Sequence, residues 1–228
     1  MSNAISLESH RSRKGANGKA ESQSDQAYAL LRDRAISLAY KPGEYLNIAS
    51  LADETGFGRT PINQALRRLA SEGLVRIIPR KGILIAPLSI DSALDLIEVR
   101  IVNERLSAKL AAQNINESRI KLLRDAAAGF EKAARSNDIK RIMNSDRVFH
   151  ETIVVIAANQ HLADILSVLH AQSQRFWAVS LSTPKHIDEV VTEHSHIVDA
   201  VAAGDASLAA ECVEKHIRSF RKALTSRP

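Results

Sequence analysis

Short apolar stripes, each closed by a stop signal, run along the first third of the chain. Tyr28, Leu31, Ala35 and Leu38 share one helical face behind Asp25 as a cap, which predicts a helix to about Ala39 that Lys41-Pro42-Gly43 ends. Asn47 caps a second short helix carrying Ile48, Leu51 and Ala52, closed by Gly56. Thr60 caps a third, with Pro61 at its first position, Ile62, Ala65, Leu66 and Leu69 as its buried stripe, and Gly73 as its stop. The runs "LVRIIP" and "ILIAP" are β-like and flank Arg80-Lys81-Gly82, which predicts a hairpin.

After Pro87 the texture changes to long Ala-rich helical patterns near 90–113, 116–136, 138–157, 160–181, 185–203 and 205–225. Asn116, Asn137-Asp138, Asn159, Thr183-Pro184 and Gly204-Asp205 separate them. No strand pattern and no internal repeat occurs there, so this part is a helical bundle with its own core. Residues 1–24 are rich in Ser, Asn, Gly and Lys and lack apolar periodicity, which predicts a disordered basic arm. The expected organisation is mainly α: an arm at 1–24, a small helical domain with a β-hairpin at 25–86, and an all-helical domain at 87–228.

Composition narrows the setting. No apolar run approaches the ~18–20 residues that span a bilayer, and the first residues lack the apolar centre of a secretory signal. A single cysteine, Cys212, allows no internal disulfide and fits a reducing cytoplasm. Charge is uneven. Residues 1–24 hold four basic and two acidic side chains, residues 25–86 nine and six, and residues 87–228 eighteen of each. All the excess positive charge therefore lies in the first 86 residues, as expected if that end alone meets a polyanion.

Three short helices and a basic hairpin make a winged helix-turn-helix, in which the third helix enters the major groove of DNA with its N-terminal residues nearest the bases. Arg59 and Thr60 sit at that end, Asn63, Gln64, Arg67 and Arg68 fall off the buried stripe, and Arg80 and Lys81 occupy the wing tip. These eight are the candidate DNA-binding residues. The stretch "LADETGFGRTPINQALRRLASEGLVRIIPRKGILI" resembles the GntR family of bacterial transcription regulators, whose pattern is S-R-T-P-V-R-E-A-L, then R-L-x-x-x-G-L-V, then P-x-x-G. Gly58 stands for the usual serine, Asn63 for an arginine that commonly contacts DNA, and Gln64 for glutamate. Asn63 suits adenine better than guanine, so the operator sequence does not carry over from relatives.

The helical domain carries a second constellation. Asp146 and His150 lie on the same face as Ile142, Phe149, Ile153 and Ile156. His194 lies among Val190, Ile197, Val198 and Val201, and His216 among Ala209, Cys212, Val213 and Phe220. Three imidazoles and a carboxylate directed into one bundle suit a divalent ion such as zinc, nickel or manganese. His196 falls on the polar side, His161 and His186 near helix starts, and His10 in the arm, while His170 is undecided. The motifs "DRVFHETIVVIAANQHL" and "EHSHIVDAVAAGDASLAAECVEKHI" resemble the FCD-type effector domain of one GntR branch, the one that includes FadR-like regulators. The resemblance implies the same ligand set, Asp146, His150, His194 and His216. It also aligns Arg100 and Glu104 with the R-x-x-x-E of the first effector-domain helix, and Asn159 with the A-x-N-x-x-L segment. Arg100 and Asn159 are then candidate effector-binding residues. Arg100 suits capture of a carboxylate, and a plain i,i+4 pair with Glu104 is the alternative.

The implied protein is a cytoplasmic, homodimeric repressor with a palindromic double-stranded operator, no membrane partner, and a metal-bound small carboxylate that loosens DNA binding. A metal-only sensor is the second reading. A metal-dependent enzyme fused to a DNA-binding module is the third, and it lacks a placed general base, Glu151 and Glu193 being the nearest acids in sequence.

Overall fold

Ser22 opens the first helix, α1 (Gln23–Ile36), and its side chain accepts a bond from the Asp25 N–H. Asp25 therefore lies inside the first turn, where its charge favours the positive end of the helix, and is not the cap. Helix begins within the last residues expected in the arm, while residues 1–20 lie outside the described residues. The structure, a computed structural model, describes residues 21–136, 138–180 and 184–225. The expected breaks at Asn137 and Thr183 fall outside them. Leu38 turns the chain with φ of 59°, which ends α1 before Ala39.

Asn47 caps α2 (Ile48–Thr55) as expected, through the Ser50 N–H, and Gly56 closes it in the left-handed region. The third helix, α3 (Arg59–Ser71), starts behind Gly58 with no side-chain cap. Thr60 is the second helical residue and not the cap. Pro61 still lies among the first N–H positions that lack an intrahelical partner, so its missing donor costs nothing. At the far end Leu74 N–H reaches Leu69 O and Gly73 N–H reaches Ala70 O, the paired closure that requires the left-handed turn at Gly73, φ 69°.

The hairpin joins β2 (Val75–Ile78) and β3 (Gly82–Ile85), and β1 (Tyr45–Leu46) adds to the other edge of β3. All pairings are antiparallel. A two-residue strand is too short to show alternation, so β1 was invisible in the sequence. Gly82 makes the pairing possible, because a Cβ there would lie 2.8 Å from Leu46 O.

Six helices follow: α4 (Ile90–Gln113), α5 (Glu117–Ala134), α6 (Ile139–Ala157), α7 (Gln160–Ser180), α8 (Pro184–Ala202) and α9 (Ala206–Thr225). Ser89, Asn116, Asp138 and Asn159 cap four of them through side-chain oxygens. Their core gathers Ile97, Phe130, Phe149, Ile142, Ile197, Val213 and Phe220. The N-terminal core gathers Leu31, Leu51, Ile62, Leu66, Leu69, Leu74 and Ile83, and it also takes Ala171 from α7. Around Ala171 three bonds cross between the two parts. Arg32 donates to Ser167 O, Gln172 to Glu72 O and Arg175 to Ala86 O. A Cβ at Gly73 would lie 2.9 Å from Gln172 Nε2, so this junction is close-packed. No described helix is long and apolar enough to cross a membrane.

Phe130 has no exposed surface, and its ring lies 6.3 Å from that of Trp177 and 4.6 Å from that of His194. Phe130→Ala should lower unfolding free energy by about 3–5 kcal/mol in denaturant titration, because little around it can collapse into the space. A cost below about 1 kcal/mol would mean that the bundle closes over the gap.

Candidate metal centre and nucleic-acid interface

On α3 the side chains of Arg59, Thr60, Asn63, Gln64, Arg67 and Arg68 are all exposed, as are Arg80 and Lys81 at the wing tip. Two of them are already engaged. Asn63 Nδ2 donates to Arg59 O at 2.8 Å, one turn back on its own helix. Arg68 pairs with Asp25 at 2.7 Å and stacks over the Tyr28 ring at 3.6 Å, so it braces α3 against α1. Arg59, Thr60, Gln64 and Arg67 are the outward-facing remainder of the helix.

In the bundle, α6, α8 and α9 bring the four expected ligands together. One donor atom from each of Asp146, His150, His194 and His216 lies within 4.8 Å of all the others. Asp146 Oδ1 is 3.7 Å from His150 Nε2 and 3.6 Å from His194 Nε2, and His216 Nε2 is 3.3 Å from His150 Nε2. Donors ~2.0–2.2 Å from a central tetrahedral ion stand about 3.3–3.6 Å apart. The edges of 3.3 and 3.6 Å fall in that range, and the edge of 3.7 Å lies just above it.

The back of each ring tells why it points this way. His150 Nδ1 faces Glu104 Oε2 at 3.1 Å, and His216 Nδ1 faces Glu193 Oε2 at 2.8 Å. A carboxylate there holds the proton on Nδ1 and leaves a lone pair on Nε2. The two Nε2 atoms, 3.3 Å apart, can share either a proton or a metal ion between them. His194 is 1% exposed, stacks on Phe149 with centroids 3.9 Å apart, and has no hydrogen-bond partner for either ring nitrogen. Such a group is costly without a ligand. Neither supporting carboxylate was singled out from the sequence as one. Glu104 was visible only as a partner for Arg100 and Glu193 only as a neighbour of His194, and the usable signal was the apolar face of α4 on which Glu104 sits.

Glu104 also anchors its own helix. Arg100 Nε donates to Glu104 Oε1 at 2.7 Å, so the i,i+4 pair forms. Arg100 Nη1 donates to Ser173 Oγ. His170 Nε2 stands 3.2 Å from Glu104 Oε1 but is misaligned for a hydrogen bond. Burial would raise the Glu104 carboxyl, yet Arg100, His170 and His150 hold it well below the usual carboxylate range. Burial would lower His150, but Asp146 and Glu104 outweigh it and raise it. Burial lowers His170 and His186, and burial together with His216 and His150 pushes His194 well below the usual range.

A cleft opens beside these groups, lined by Arg100, Asp146, His150, His170, Ser173, Gln174, Trp177, His186 and His216 among others. Asn159 is not among its walls. Its side chain caps α7 through the Leu162 N–H, which accounts for it without a ligand.

Residues 23–85 match the family described as bacterial regulatory proteins, gntR family, and residues 95–219 match the FCD domain. The chain belongs to the GntR family and carries an FCD domain. A GntR-type relative in Agrobacterium vitis, an uncharacterized HTH-type transcriptional regulator in the TAR-I ttuE-ttuC' intergenic region, is 35% identical over 135 residues, 58% of this chain and 79% of its own. The probable D-xylose utilization operon transcriptional repressor of Paenarthrobacter nicotinovorans is 25% identical over 170 residues, 75% of this chain and 74% of its own. The solved structure of E. coli McbR/YncC shares the fold, with a TM-score of 0.81 at 20% identity over 90% of this chain and 98% of that one. This GntR protein is thus a DNA-binding transcription regulator and not an enzyme.

The lowered histidines set a pH dependence. An unfolded chain binds protons near the ordinary histidine value of about 6.5, whereas His170, His186 and His194 resist them in the fold, so the unfolded state binds more and stability falls as pH drops below that value. His150 works in the opposite direction. His194, held well below the usual range, sets the net direction, so metal-free protein should melt at a lower temperature at pH 5.5 than at pH 7.5. His194→Gln should flatten that difference in a thermal melt series, and an unaltered slope would show that His194 is not the resisting group.

Proposed function

We propose that this regulator is a cytoplasmic homodimer that represses a palindromic operator and releases it when a small organic acid joins a divalent ion, zinc, nickel or manganese, held by Asp146, His150, His194 and His216. The observation that carries it is the pair of carboxylate-held imidazoles, His150 and His216, whose Nε2 atoms face each other at 3.3 Å. Charge supports it too. Asp146, Glu104 and Glu193 bring three negative charges against one from Arg100, a deficit that a divalent cation cancels. An ion there that expands beyond four ligands takes a carboxylate oxygen as a further one. Arg100 lines the same cavity, with Nη2 outside both of its internal bonds, and a guanidinium edge suits the far end of such an acid. The repressor sense follows the printed role of the Paenarthrobacter relative.

The route to DNA has two parts. Helix α4 follows the wing directly through Pro87 to Ser89, so movement of Arg100 bears on the linker. Helix α7 places His170, Ser173, Gln174 and Trp177 on the cavity, while Ser167, Ala171, Gln172 and Arg175 grip the DNA-binding part. A ligand that prefers one setting of α7 shifts the population by that preference, typically ~1–3 kcal/mol. The Arg100–Glu104 bond favours a second reading, a metal-only sensor in which Arg100 serves the fold alone.

Arg59→Ala should weaken specific operator binding by about 1–3 kcal/mol at fixed salt, as for loss of a base-reading arginine. Arg68→Ala should weaken it less, since Arg68 is spent on α1. Equal binding of Arg59→Ala and wild type would remove α3 from the groove.

For the effector site, elemental analysis should find about one divalent ion per chain, lost in His150→Ala and His194→Ala and retained in His196→Ala. A screen of small carboxylates on metal-loaded protein should raise the melting temperature and release DNA. Arg100→Lys keeps a cation beside Glu104 but loses the fork, and should need about tenfold more acid, worth ~1.4 kcal/mol. Release by metal alone, indifferent to every acid, would favour the sensor reading.

A further inference from the structure

Arg175 is a buried cation outside the metal centre. It lies on α7, 3% exposed, and among the described residues no carboxylate pairs with it. Burial alone pulls its guanidinium down, to about 10. Nη2 donates to the backbone oxygen of Ala86, and Nε has no hydrogen-bond partner. A cation in so dry a place without a counter-ion costs the fold stability. Its use lies in what it holds. Ala86 follows β3 directly, and its N–H donates to Leu74 O at 3.0 Å. Leu74 directly precedes β2, so that bond ties the two legs of the wing together at the base. Gln172, three residues before Arg175 and on the same face of α7, donates to Glu72 O at 2.8 Å. Helix α7 thus holds the base of the hairpin at two points. Gln172 sits where α3 ends, and Arg175 sits on the exit leg.

We propose that Arg175 is a positioning residue for DNA recognition, which sets the angle of the wing from within the effector domain and so places Arg80 and Lys81 on the operator. This rests on the reading that the wing tip meets DNA. The recognition helix is held by other means. Its stripe Ile62, Ala65, Leu66 and Leu69 lies in the N-terminal core, and Arg68 braces it on Asp25 and Tyr28. Arg59 lies at the opposite end of α3 from Glu72, about 20 Å away, so a shift at the junction hardly moves it. The wing has less support. Its two four-residue strands carry the tip ~13 Å beyond the clamp, so a small rotation at the base becomes a larger displacement at Arg80 and Lys81. The missing counter-ion suits a contact that has to move. One N–H on a carbonyl lets go more readily than a guanidinium forked on a carboxylate, and release returns the charge to water. The next turn of α7 carries His170, Ser173 and Gln174 on the wall of the cleft, so a shift of the helix there reaches Ala86 through a single side chain.

The test uses the full metal-loaded chain and a duplex that wild type selects from a random library, with affinity read by fluorescence anisotropy at fixed salt. Arg175→Met keeps the stem and removes the charge and the donor, and it should weaken binding about fivefold. Its melting temperature should be no lower than that of wild type, because a buried cation without a counter-ion has been removed. Arg80→Ala combined with Lys81→Ala should weaken binding as well, and Arg175→Met added to that pair should cost nothing further. Added to Arg59→Ala, Arg175→Met should still cost its full factor, since independent routes multiply. Arg175→Lys can still donate to Ala86 O and should bind nearly like wild type. A tip pair that binds like wild type takes the wing off the DNA and the proposal with it. A tip pair that weakens binding, yet weakens it again by the same factor with Arg175→Met, overturns the route through the wing and leaves the DNA reading standing. A lower melting temperature in Arg175→Met would make the residue structural, and Arg175→Lys binding no better than Arg175→Met would remove the Ala86 bond from the account.

Discussion

Glu104 is a carboxylate in the dry interior of a helical bundle, 4% exposed, and the arrangement of the effector domain depends on neutralising it. A charge so placed persists only where partners surround it. Here the partners come from three helices. Arg100 lies one turn back on α4, His150 arrives from α6 and His170 from α7. Each has a second duty. Arg100 and His170 line the cavity, and His150 turns its other nitrogen to Asp146, His194 and His216. One buried anion thereby fixes the directions of the side chains that shape the site, and its depressed titration is the electrostatic record of that crowding.

The same logic separates the three imidazoles. His150 and His216 are each held from behind by a carboxylate, which fixes the tautomer. His194 has no such support. The flat face of Phe149 positions it and burial keeps it neutral. A site built this way has two rigid, electron-rich donors and one that depends on packing. That is also why Phe130, which closes on the His194 ring from another side, belongs as much to the site as to the core.

Helical periodicity made most of this legible. Six effector-domain helices fall within two residues of their expected bounds, because long amphipathic stripes and side-chain caps at Asn116, Asp138 and Asn159 are local signals. The convergence of Asp146, His150, His194 and His216 was legible for the same reason, since a polar residue on an apolar stripe has to point inward. The failures are equally physical. Ser22 and Gly58 took the cap positions expected of Asp25 and Thr60, because several candidate caps stood side by side and only backbone geometry chooses among them. The partners Glu104 and Glu193 depend on which helices become neighbours, which no single-helix pattern contains. Arg68 looked like a DNA contact until α1 placed Asp25 and Tyr28 beside it.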